Sequence, residues 1–319
     1  MTMDFVLLLA GLALIVFGAD ALVDGASAIA RKAGVSEFVI GLTIVGFGTS
    51  CPELVVSLTG ALQGNADISI GNVVGSNIFN TLLILGLTAL LAPVSMTREN
   101  RRRDIPITLG VTLLLVLCGM NSTVLGLGDV DSLSRIEGVI FLLVFALYLY
   151  SCFKNDSGAQ EAASDTKQMK LLPAVLLTAG GLAGLVFGGN MFVDSAVAIA
   201  AALGVSDKFI AITLLAGGTS LPEFATCIVA AARHKDQLAL GNILGSNVFN
   251  ILLILGSSAL VAPLSFAGIN LVDIAALVLG CLLLLVWAYT GSKNRIDRWE
   301  GGVMLLLFAL YYCCLFRSL

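Results

Sequence analysis

The sequence contains little charge and a single histidine. Only 12% of its 319 residues are Asp, Glu, Lys or Arg, and the net charge of −4 is not concentrated in any region. This distribution gives no basis for a nucleic-acid partner. The histidine, His234, lies in the basic stretch ARHKD, and the seven cysteines are scattered through apolar segments. We therefore expect free thiols, no soft-ligand metal site and no cofactor.

Apolar residues, by contrast, make up 58% of the chain, and the mean hydropathy is +1.00. Ten apolar runs recur, each of about 20 residues and long enough to cross the roughly 30 Å hydrocarbon layer of a bilayer. The sequence therefore predicts an all-α membrane protein with ten transmembrane helices. The first run begins MTMDF without a basic flank, so we expect an uncleaved span rather than a signal peptide. The predicted spans are 3–30, 37–62, 68–92, 104–120, 136–153, 171–201, 208–232, 238–262, 270–290 and 299–316.

The basic residues predict the orientation of these spans. With the N-terminus outside, 14 of the 17 Lys and Arg residues fall on the cytoplasmic side, as the positive-inside rule requires. We therefore expect a multi-pass protein of the cell membrane with both termini outside. The stretch RENRRRD (98–104) is interpreted as a topology anchor, and binding of anionic lipid is the alternative.

The chain also contains two copies of one sequence, offset by 170 residues. GNVVGSNIFNTLLILG (71–86) matches GNILGSNVFNILLILG (241–256) at 12 of 16 positions, and TS-x-PE at 49–53 recurs at 219–223. Each copy holds five predicted spans, an odd number, so the second copy must enter from the opposite membrane face. This predicts two inverted five-helix repeats, 1–153 and 171–319, joined by a cytoplasmic linker at 154–170. Such repeats are typical of secondary transporters.

The stretch GFGTSCPELVVS (46–57) places helix-breaking and ionisable residues inside a predicted span. Pro52 lacks an N–H and its ring clashes with the carbonyl of Gly48. Glu53 places a carboxylate near mid-membrane, where a charge costs at least about 3 kcal/mol on insertion scales. Freed backbone carbonyls are tolerated at this depth only where they line a cavity or are coordinated. Because Pro222 and Glu223 repeat the pattern, the two segments predict a cation site rather than two structural kinks.

A neighbouring motif adds a polar stripe to each copy. Residues four apart lie on one face of a helix, and each stripe consists of two asparagines and a serine at this spacing. Packing of small polar residues between helices is the alternative, and it is favoured for the first asparagine of each stripe. Carboxylate, hydroxyl, amide and carbonyl oxygens together suit a hard cation such as calcium. The two stripes are Asn72, Ser76 and Asn80, and Asn242, Ser246 and Asn250.

With these motifs the chain resembles the cation/calcium exchanger superfamily, and within it the prokaryotic sodium/calcium exchangers. The resemblance rests on the paired TS-x-PE and GSN-x-FN motifs and covers nearly the whole chain. It implies ten helices, alternating access and a central cluster of one calcium site and several sodium sites. The implied function is secondary active antiport of calcium against sodium in a lipid membrane, with no cofactor and no obligatory protein partner.

The resemblance also implies roles for individual residues. Glu53 and Glu223 would be shared by calcium and sodium. The backbone carbonyls of Thr49 and Thr219 would complete the calcium site. Flanking sodium sites would use four hydroxyls and two backbone carbonyls, those of Ser50, Ser76, Ser220 and Ser246, and of Gly46 and Ala216.

Asn80 and Asn250 would face the middle of this cluster. The family often has an aspartate at the position of Asn250 and a leucine at the position of Cys51. The sequence therefore leaves open the ion stoichiometry and the participation of protons or potassium. A proton-coupled calcium exchanger is the alternative function.

Two other classes of protein fit the sequence less well. GLGD at 126–129 resembles an element of intramembrane aspartyl proteases, but Asp129 falls in a predicted external loop, and no predicted span offers a mid-membrane partner aspartate. A cation channel rarely needs an inverted repeat. We therefore predict a transporter and not an enzyme.

Overall fold

The computed structural model describes residues 2–64, 66–126, 130–154, 169–204, 216–290 and 294–318. Most of the linker, the GLGD aspartate and the start of the seventh predicted span lie outside these residues. The chain divides into two compact units, and each unit contains segments of both sequence copies.

Unit 1 comprises Met1–Pro52 and Asn155–Asn242. Its longest helices, one from each copy, have 32 residues each. Helix Asp236–Val248 begins in this unit and continues into the other. The remaining elements are Thr2–Ala33, Glu37–Ile40, the π-helical Gly41–Val45, Gly46–Thr49, Leu171–Ala202, Ala216–Gly218 and Leu221–Ala232.

The two long helices of unit 1 pack closely because glycines line their contact. A Cβ atom on Gly18 would lie 2.9 Å from the carbonyl oxygen of Gly181, and one on Gly188 would lie 2.9 Å from that of Gly11. Gly11 and Gly18 precede Gly181 and Gly188 by 170 residues. The contact is therefore symmetric: the first glycine of each copy meets the second glycine of the other copy, and small residues permit this as in other membrane helix pairs.

Unit 2 comprises Glu53–Lys154 and Ile243–Leu319. Three of its segments are π-helical: Phe79–Ile84, Asn100–Asp104 and Phe249–Leu255. Its α-helices are Cys51–Leu62, which begins in unit 1, and then Ala66–Ile78, Leu85–Leu91, Ile105–Gly119, Asn121–Leu125, Arg135–Lys154, Gly256–Val261, Leu271–Thr290 and Arg298–Ser318.

Two short strand pairs join the copies within unit 2. Val94–Ser95 runs antiparallel to Arg295–Ile296, with Val94 opposite Ile296. Ser132–Leu133 runs antiparallel to Leu264–Ser265. Each pair combines a strand of the first copy with a strand of the second.

Glycine contacts in unit 2 also join a helix of one copy to a helix of the other. A Cβ atom on Gly138 would lie 2.8 Å from the carbonyl oxygen of Gly256. One on Gly301 would lie 2.6 Å from that of Gly86. Gly86 and Gly256 are equivalent in the repeat, so the two helices that carry the GSN motif each pack on a helix of the other copy.

Seven helices of the described residues are long and apolar enough to cross a membrane, and the broken pair Glu37–Thr49 and Cys51–Leu62 makes eight if it counts as one span. The chain is therefore an all-α membrane protein. The fourth predicted span is the 15-residue helix Ile105–Gly119, and only residues 216–232 of the seventh are described. The seven long helices are Thr2–Ala33, Ile68–Leu91, Arg135–Lys154, Leu171–Ala202, Asp236–Val261, Leu271–Thr290 and Arg298–Leu315.

The helices with the GSN motif are the most buried of the seven. In Asp236–Val261, 94% of the most apolar stretch is inside the protein, and in Ile68–Leu91 the share is 72%. The other five have shares of 39% or less. The polar stripes therefore lie on the helices that form the interior.

Candidate functional site

Both TS-x-PE segments interrupt their helices at the serine. Helix Gly46–Thr49 ends at Ser50, which has φ −84° and ψ 8°, and a new helix begins at Cys51. The second copy has the same break: Ser220 has φ −88° and ψ 8°, and helix Leu221–Ala232 follows. The proline at the second position of each new helix is tolerated because N–H groups of the first turn have no partner within the helix. The predicted break is therefore confirmed in both copies.

Glu223 is the carboxylate of the site residues in unit 1, and it lies in the first turn of helix Leu221–Ala232. Its side chain is fully buried, and Ser50 Oγ donates a hydrogen bond of 2.8 Å to its Oε1. The helix N-terminus and this hydroxyl are both partners for the negative charge of a carboxylate. Two predicted site residues from different copies are thus in direct contact.

Thr49 is connected to the second polar stripe through its hydroxyl. Thr49 Oγ1 lies 3.1 Å from the carbonyl oxygen of Val45 and 3.2 Å from Asn242 Oδ1. Asn242 Nδ2 donates to Cys227 Sγ at 3.3 Å. Both polar ends of Asn242 therefore contact protein, which agrees with the packing role that the sequence favoured. The carbonyl of Gly46, a predicted sodium ligand, accepts the Ser50 N–H at 3.1 Å.

The other predicted residues of unit 1 come from the second copy. Ser220 is fully buried. Thr219 Oγ1 is buried and has no hydrogen-bond partner among the residues that the structure describes. Ala216 begins the short helix Ala216–Gly218, directly after the undescribed residues 205–215. The predicted site residues that belong to unit 1 are Gly46, Thr49, Ser50, Ala216, Thr219, Ser220 and Glu223.

Glu53 is the corresponding carboxylate of unit 2, and it lies in the first turn of helix Cys51–Leu62. Its side chain is fully buried. Asn72 Nδ2 donates to the backbone oxygen of Glu53 at 3.2 Å and to Ser57 Oγ at 3.0 Å. Asn72 therefore fastens helix Ala66–Ile78 to the segment that carries the glutamate, again a packing role.

Four asparagines of unit 2 form a network of hydrogen bonds. Asn80 Nδ2 donates to Asn247 Oδ1 at 3.2 Å. At the equivalent positions, Asn250 Nδ2 donates to Asn77 Oδ1 at 2.9 Å. Asn77 Nδ2 donates to the backbone oxygen of Asn247 at 3.1 Å, and Asn247 Nδ2 donates to Thr81 Oγ1 at 2.8 Å. Each of the four amide nitrogens therefore has an acceptor.

The same network leaves oxygen atoms available. Asn80 Oδ1, Asn250 Oδ1 and Ser76 Oγ are buried and lack a hydrogen-bond partner within the described ranges. A buried polar atom left in this way costs about 1–3 kcal/mol, and a bound cation would remove that cost by taking the oxygen as a ligand. Ser246 is also fully buried. The predicted site residues that belong to unit 2 are Glu53, Ser76, Asn80, Ser246 and Asn250.

Asn80 and Asn250 lie in the π-helical segments Phe79–Ile84 and Phe249–Leu255. Short π-helical segments inside α-helices occur frequently at functional sites, because the wider turn disrupts the regular hydrogen-bond ladder. Neither the periodicity of the apolar residues nor the motif spacing predicted these π-helical segments. Their recurrence at equivalent positions connects them to the repeated motif rather than to local strain in one copy.

Asn77 and Asn247 belong to the network but lie outside the two predicted polar stripes. The spacing of four selected only Asn, Ser and Asn of each stripe, and Asn77 and Asn247 directly follow its serine. A signal was present, because GSN occurs at both 75–77 and 245–247. Asn247 orients the amide of Asn80, and Asn77 orients the amide of Asn250.

Charged side chains elsewhere in unit 1 pair with one another. Arg233 contacts the carboxylates of Asp20 and Asp24, and the hydrogen bond with Asp24 raises the pKa of Arg233. Lys235 Nζ lies 2.6 Å from Glu37 Oε1. These acidic residues were not among the predicted ligands, and they form ion pairs.

The donor atoms of the two units define what they can bind. In the described part of the chain, no group of three His, Cys, Asp or Glu side chains is placed to hold a metal ion. Each unit instead offers one buried glutamate together with hydroxyl, amide and backbone oxygens. Oxygen donors of this kind suit hard cations and not soft transition metals.

Comparison with known proteins gives one consistent result. The family described as sodium/calcium exchanger protein matches residues 3–154 and 173–317. The chain is 39% identical to the putative antiporter CaxA of Alkalimonas amylolytica, over 98% of each chain. It is 35% identical to the sodium/calcium exchanger MaX1 of Methanosarcina acetivorans, over 99% of each. A structure of the sodium-calcium exchanger NCX_Mj soaked with 2.5 mM Na+ and 0.1 mM Ca2+ is similar, with a TM-score of 0.84, 35% identity and 98% coverage of both chains.

Proposed function

Because this chain belongs to the sodium/calcium exchanger protein family, we propose that it is a secondary active antiporter that exchanges calcium for sodium across the cell membrane by alternating access. The observation that carries the proposal is a fully buried glutamate placed just after a helix break in each copy, Glu53 and Glu223. Burying a carboxylate is expensive unless its charge is compensated, and a transported cation compensates it. The transported ions are substrates, and no cofactor is required.

The ligands in this proposal follow the predicted set. Glu53 and Glu223 bind calcium and sodium in turn, and the backbone carbonyls of Thr49 and Thr219 complete the calcium site. Support comes from the break at each TS-x-PE segment, where Pro52 and Pro222 have no N–H to donate to the carbonyls four residues earlier. The flanking sodium ligands are Ser50, Ser76, Ser220 and Ser246, with the carbonyls of Gly46 and Ala216.

The proposed architecture has ten spans arranged as two inverted five-helix repeats, 1–153 and 171–319, with a cytoplasmic linker. The exchange of partners between copies supports it, since strands and glycine contacts recur at equivalent positions of unit 2. In this architecture the second copy has the opposite orientation in the membrane.

Exchange rather than leak follows from charge. Two carboxylates carry a charge of −2, which one Ca2+ or two Na+ ions neutralise. An empty, closed site would bury uncompensated charge, a costly state, so the carrier changes conformation mainly when it is loaded. A third sodium ion would make transport electrogenic, and about 2.3 kcal/mol per charge per 100 mV would then favour calcium extrusion.

The decisive experiment separates sodium coupling from proton coupling. The purified protein is reconstituted into vesicles, and calcium uptake is measured with an outward sodium gradient, with an outward proton gradient, and with neither. We expect uptake only with the sodium gradient, and none in Glu223→Gln vesicles. Uptake with the proton gradient alone would establish the proton-coupled alternative, and equal uptake without any gradient would contradict antiport.

The orientation has its own test. After the native cysteines are replaced, a cysteine introduced at Ser157 should resist an impermeant thiol reagent in intact cells, and one introduced at Ser318 should react. The reverse labelling pattern would contradict termini outside the cell, and it would leave the exchange proposal unaffected.

A further inference from the structure

A groove in unit 2 is lined by none of the residues of the proposed cation site. It has a volume of about 550 Å³, within the range of ligand pockets in general. One side is helix Ile105–Gly119, and the other includes Val144 of helix Arg135–Lys154. Apart from two arginines its lining is apolar: Pro106, Ile107, Gly110, Val111, Leu114 and Val144.

The two arginines, Arg102 and Arg103, lie at the N-terminal end of this lining, just before helix Ile105–Gly119. Arg103 Nε pairs with Asp104 Oδ1 at 2.8 Å, and a second guanidinium nitrogen lies 3.4 Å from the carbonyl oxygen of Ser151. These contacts hold the Arg103 side chain in place. Arg102 is exposed, and its side chain makes no hydrogen bond or ion pair to any residue that the structure describes. The end of the groove therefore presents the guanidinium of Arg103, which is held by hydrogen bonds, and the exposed guanidinium of Arg102.

We propose that this groove binds an anionic phospholipid of the membrane, with the phosphate at Arg102 and Arg103 and an acyl chain along the apolar walls. Arg102 supplies positive charge that no described carboxylate compensates, whereas the charge of Arg103 is paired with Asp104. Both guanidinium groups offer N–H donors, and guanidinium groups bind phosphate through paired N–H donors. The apolar lining complements a hydrocarbon chain, because lipid tails and aliphatic side chains are equally apolar.

The order of charged and apolar residues along the helix favours a lipid over a soluble anion. Arg102 and Arg103 come first in the lining, and Pro106, Gly110 and Leu114 follow, each three or four residues after the one before. This spacing is about one helical turn. Charge at one end and hydrocarbon contact along the rest is the arrangement of a phospholipid in one leaflet. Basic pockets between membrane helices are a known type of lipid headgroup site. This inference is independent of the ion exchanged.

Gly110 provides a way to close the groove. It is exposed, and a Cβ atom added to it would meet nothing within 4 Å. A phenylalanine at this position would therefore have room for its Cβ atom and would extend its ring into the space proposed for the acyl chain. Gly180 is also exposed with no neighbour within 4 Å of an added Cβ, but it does not line the groove, so Gly180→Phe is the matched control.

The test uses the purified full-length protein in detergent. Retention of phosphatidylglycerol and of phosphatidylcholine with identical acyl chains is measured by native mass spectrometry. We expect wild type to retain phosphatidylglycerol preferentially. Arg102→Gln should reduce that preference by about fivefold, the factor expected for one arginine near an anionic headgroup. Arg98→Gln, in the same basic stretch but outside the groove, should leave it unchanged.

The acyl chain is tested separately. Gly110→Phe should reduce retention of the phospholipid, whereas Gly180→Phe should not. A phosphatidylglycerol with a photoreactive acyl chain should crosslink to the residues from Ile107 to Leu114 or to Val144. Equal retention of both lipids by wild type, equal effects of Arg102→Gln and Arg98→Gln, or equal binding of glycerol phosphate without acyl chains would each overturn the proposal.

Discussion

The two copies of the repeat hold equivalent asparagines with different atoms. In the first copy Asn72 Nδ2 donates to the hydroxyl of Ser57 at 3.0 Å, and in the second Asn242 Nδ2 donates to the thiol of Cys227 at 3.3 Å. Ser57 and Cys227 are equivalent positions of the repeat. Sulfur is the weaker acceptor. Asn242 has an additional contact, because Thr49 Oγ1 lies 3.2 Å from its Oδ1.

The asparagine network of unit 2 is more symmetric. Asn80 and Asn250 each donate to the side chain that follows the serine of the other copy's stripe. The symmetry ends at Thr81, which accepts from Asn247, because the equivalent residue of the second copy is an isoleucine. The repeated GSN-x-FN motif therefore supplies the acceptors of the Asn80 and Asn250 amides in both copies. Residues that differ between the copies, such as Thr81, supply the additional hydrogen bonds.

The largest expected effect is on the paired glutamates. Glu53→Gln and Glu223→Gln should each abolish sodium-dependent calcium uptake and leave the protein folded, since under the proposed function each removes one of the two carboxylates that compensate the transported cation. Glu300→Gln is the control: Glu300 is also buried, but it accepts the Asp297 N–H at 2.7 Å, and glutamine keeps that acceptor. Vesicle uptake and thermal unfolding in detergent measure the two properties. Near-normal calcium affinity in either site variant would contradict the proposed ion site.

The next largest effect concerns Asn77 and Asn247, which accept the hydrogen bonds of the Asn250 and Asn80 amides. Asn77→Ala removes the side-chain acceptor of the Asn250 amide, and Asn247→Ala removes that of the Asn80 amide. Leaving a buried amide N–H unsatisfied costs about 1–3 kcal/mol. We expect a lower midpoint of unfolding and weaker calcium uptake for both. Thr81→Val, which removes only the acceptor of Asn247, should have a smaller effect, and an equal effect would contradict the ranking.

Aspartate at the network positions tests the neutral centre of the site. Asn250→Asp can keep its hydrogen bond to Asn77 Oδ1 only as a protonated carboxyl, because an ionised carboxylate has no donor. We therefore expect a sodium dependence like that of wild type at acid pH and an altered one at alkaline pH. Asn80→Asp should behave in the same way towards Asn247. A wild type without calcium transport, together with an active Asn250→Asp, would contradict the proposed function.

The smallest effects concern Ser57 and Cys227. Ser57→Cys gives the first copy the acceptor of the second and should lower stability by less than about 1 kcal/mol. Ser57→Ala removes the acceptor and should lower it further, although Asn72 keeps its bond to the Glu53 carbonyl. Cys227→Ser is the reciprocal change. The midpoint of thermal unfolding in detergent measures all three, and a larger loss in Ser57→Cys than in Ser57→Ala would contradict the role of the acceptor.

Much of the site was predictable because its local rules are strict. Proline next to a glutamate in an apolar span predicts a helix break, and the break is found at both Ser50 and Ser220. The family resemblance is confirmed by matches over nearly the whole chain. The packing role favoured for Asn72 and Asn242 agrees with their contacts. The ion ligands themselves stay predictions.

The sequence alone determined the membrane class, the repeat, the helix breaks and the family, because hydropathy, proline and identical motifs act through local chemistry. The tertiary structure decided which residues meet. Ser50 contacts Glu223 across 173 positions, and Asn80 contacts Asn247 across 167. The π-helical turns around Asn80 and Asn250 and the groove beside Arg102 belong to the same group. These features depend on packing between segments that are distant in sequence. Helical periodicity and residue spacing within one segment do not predict that packing.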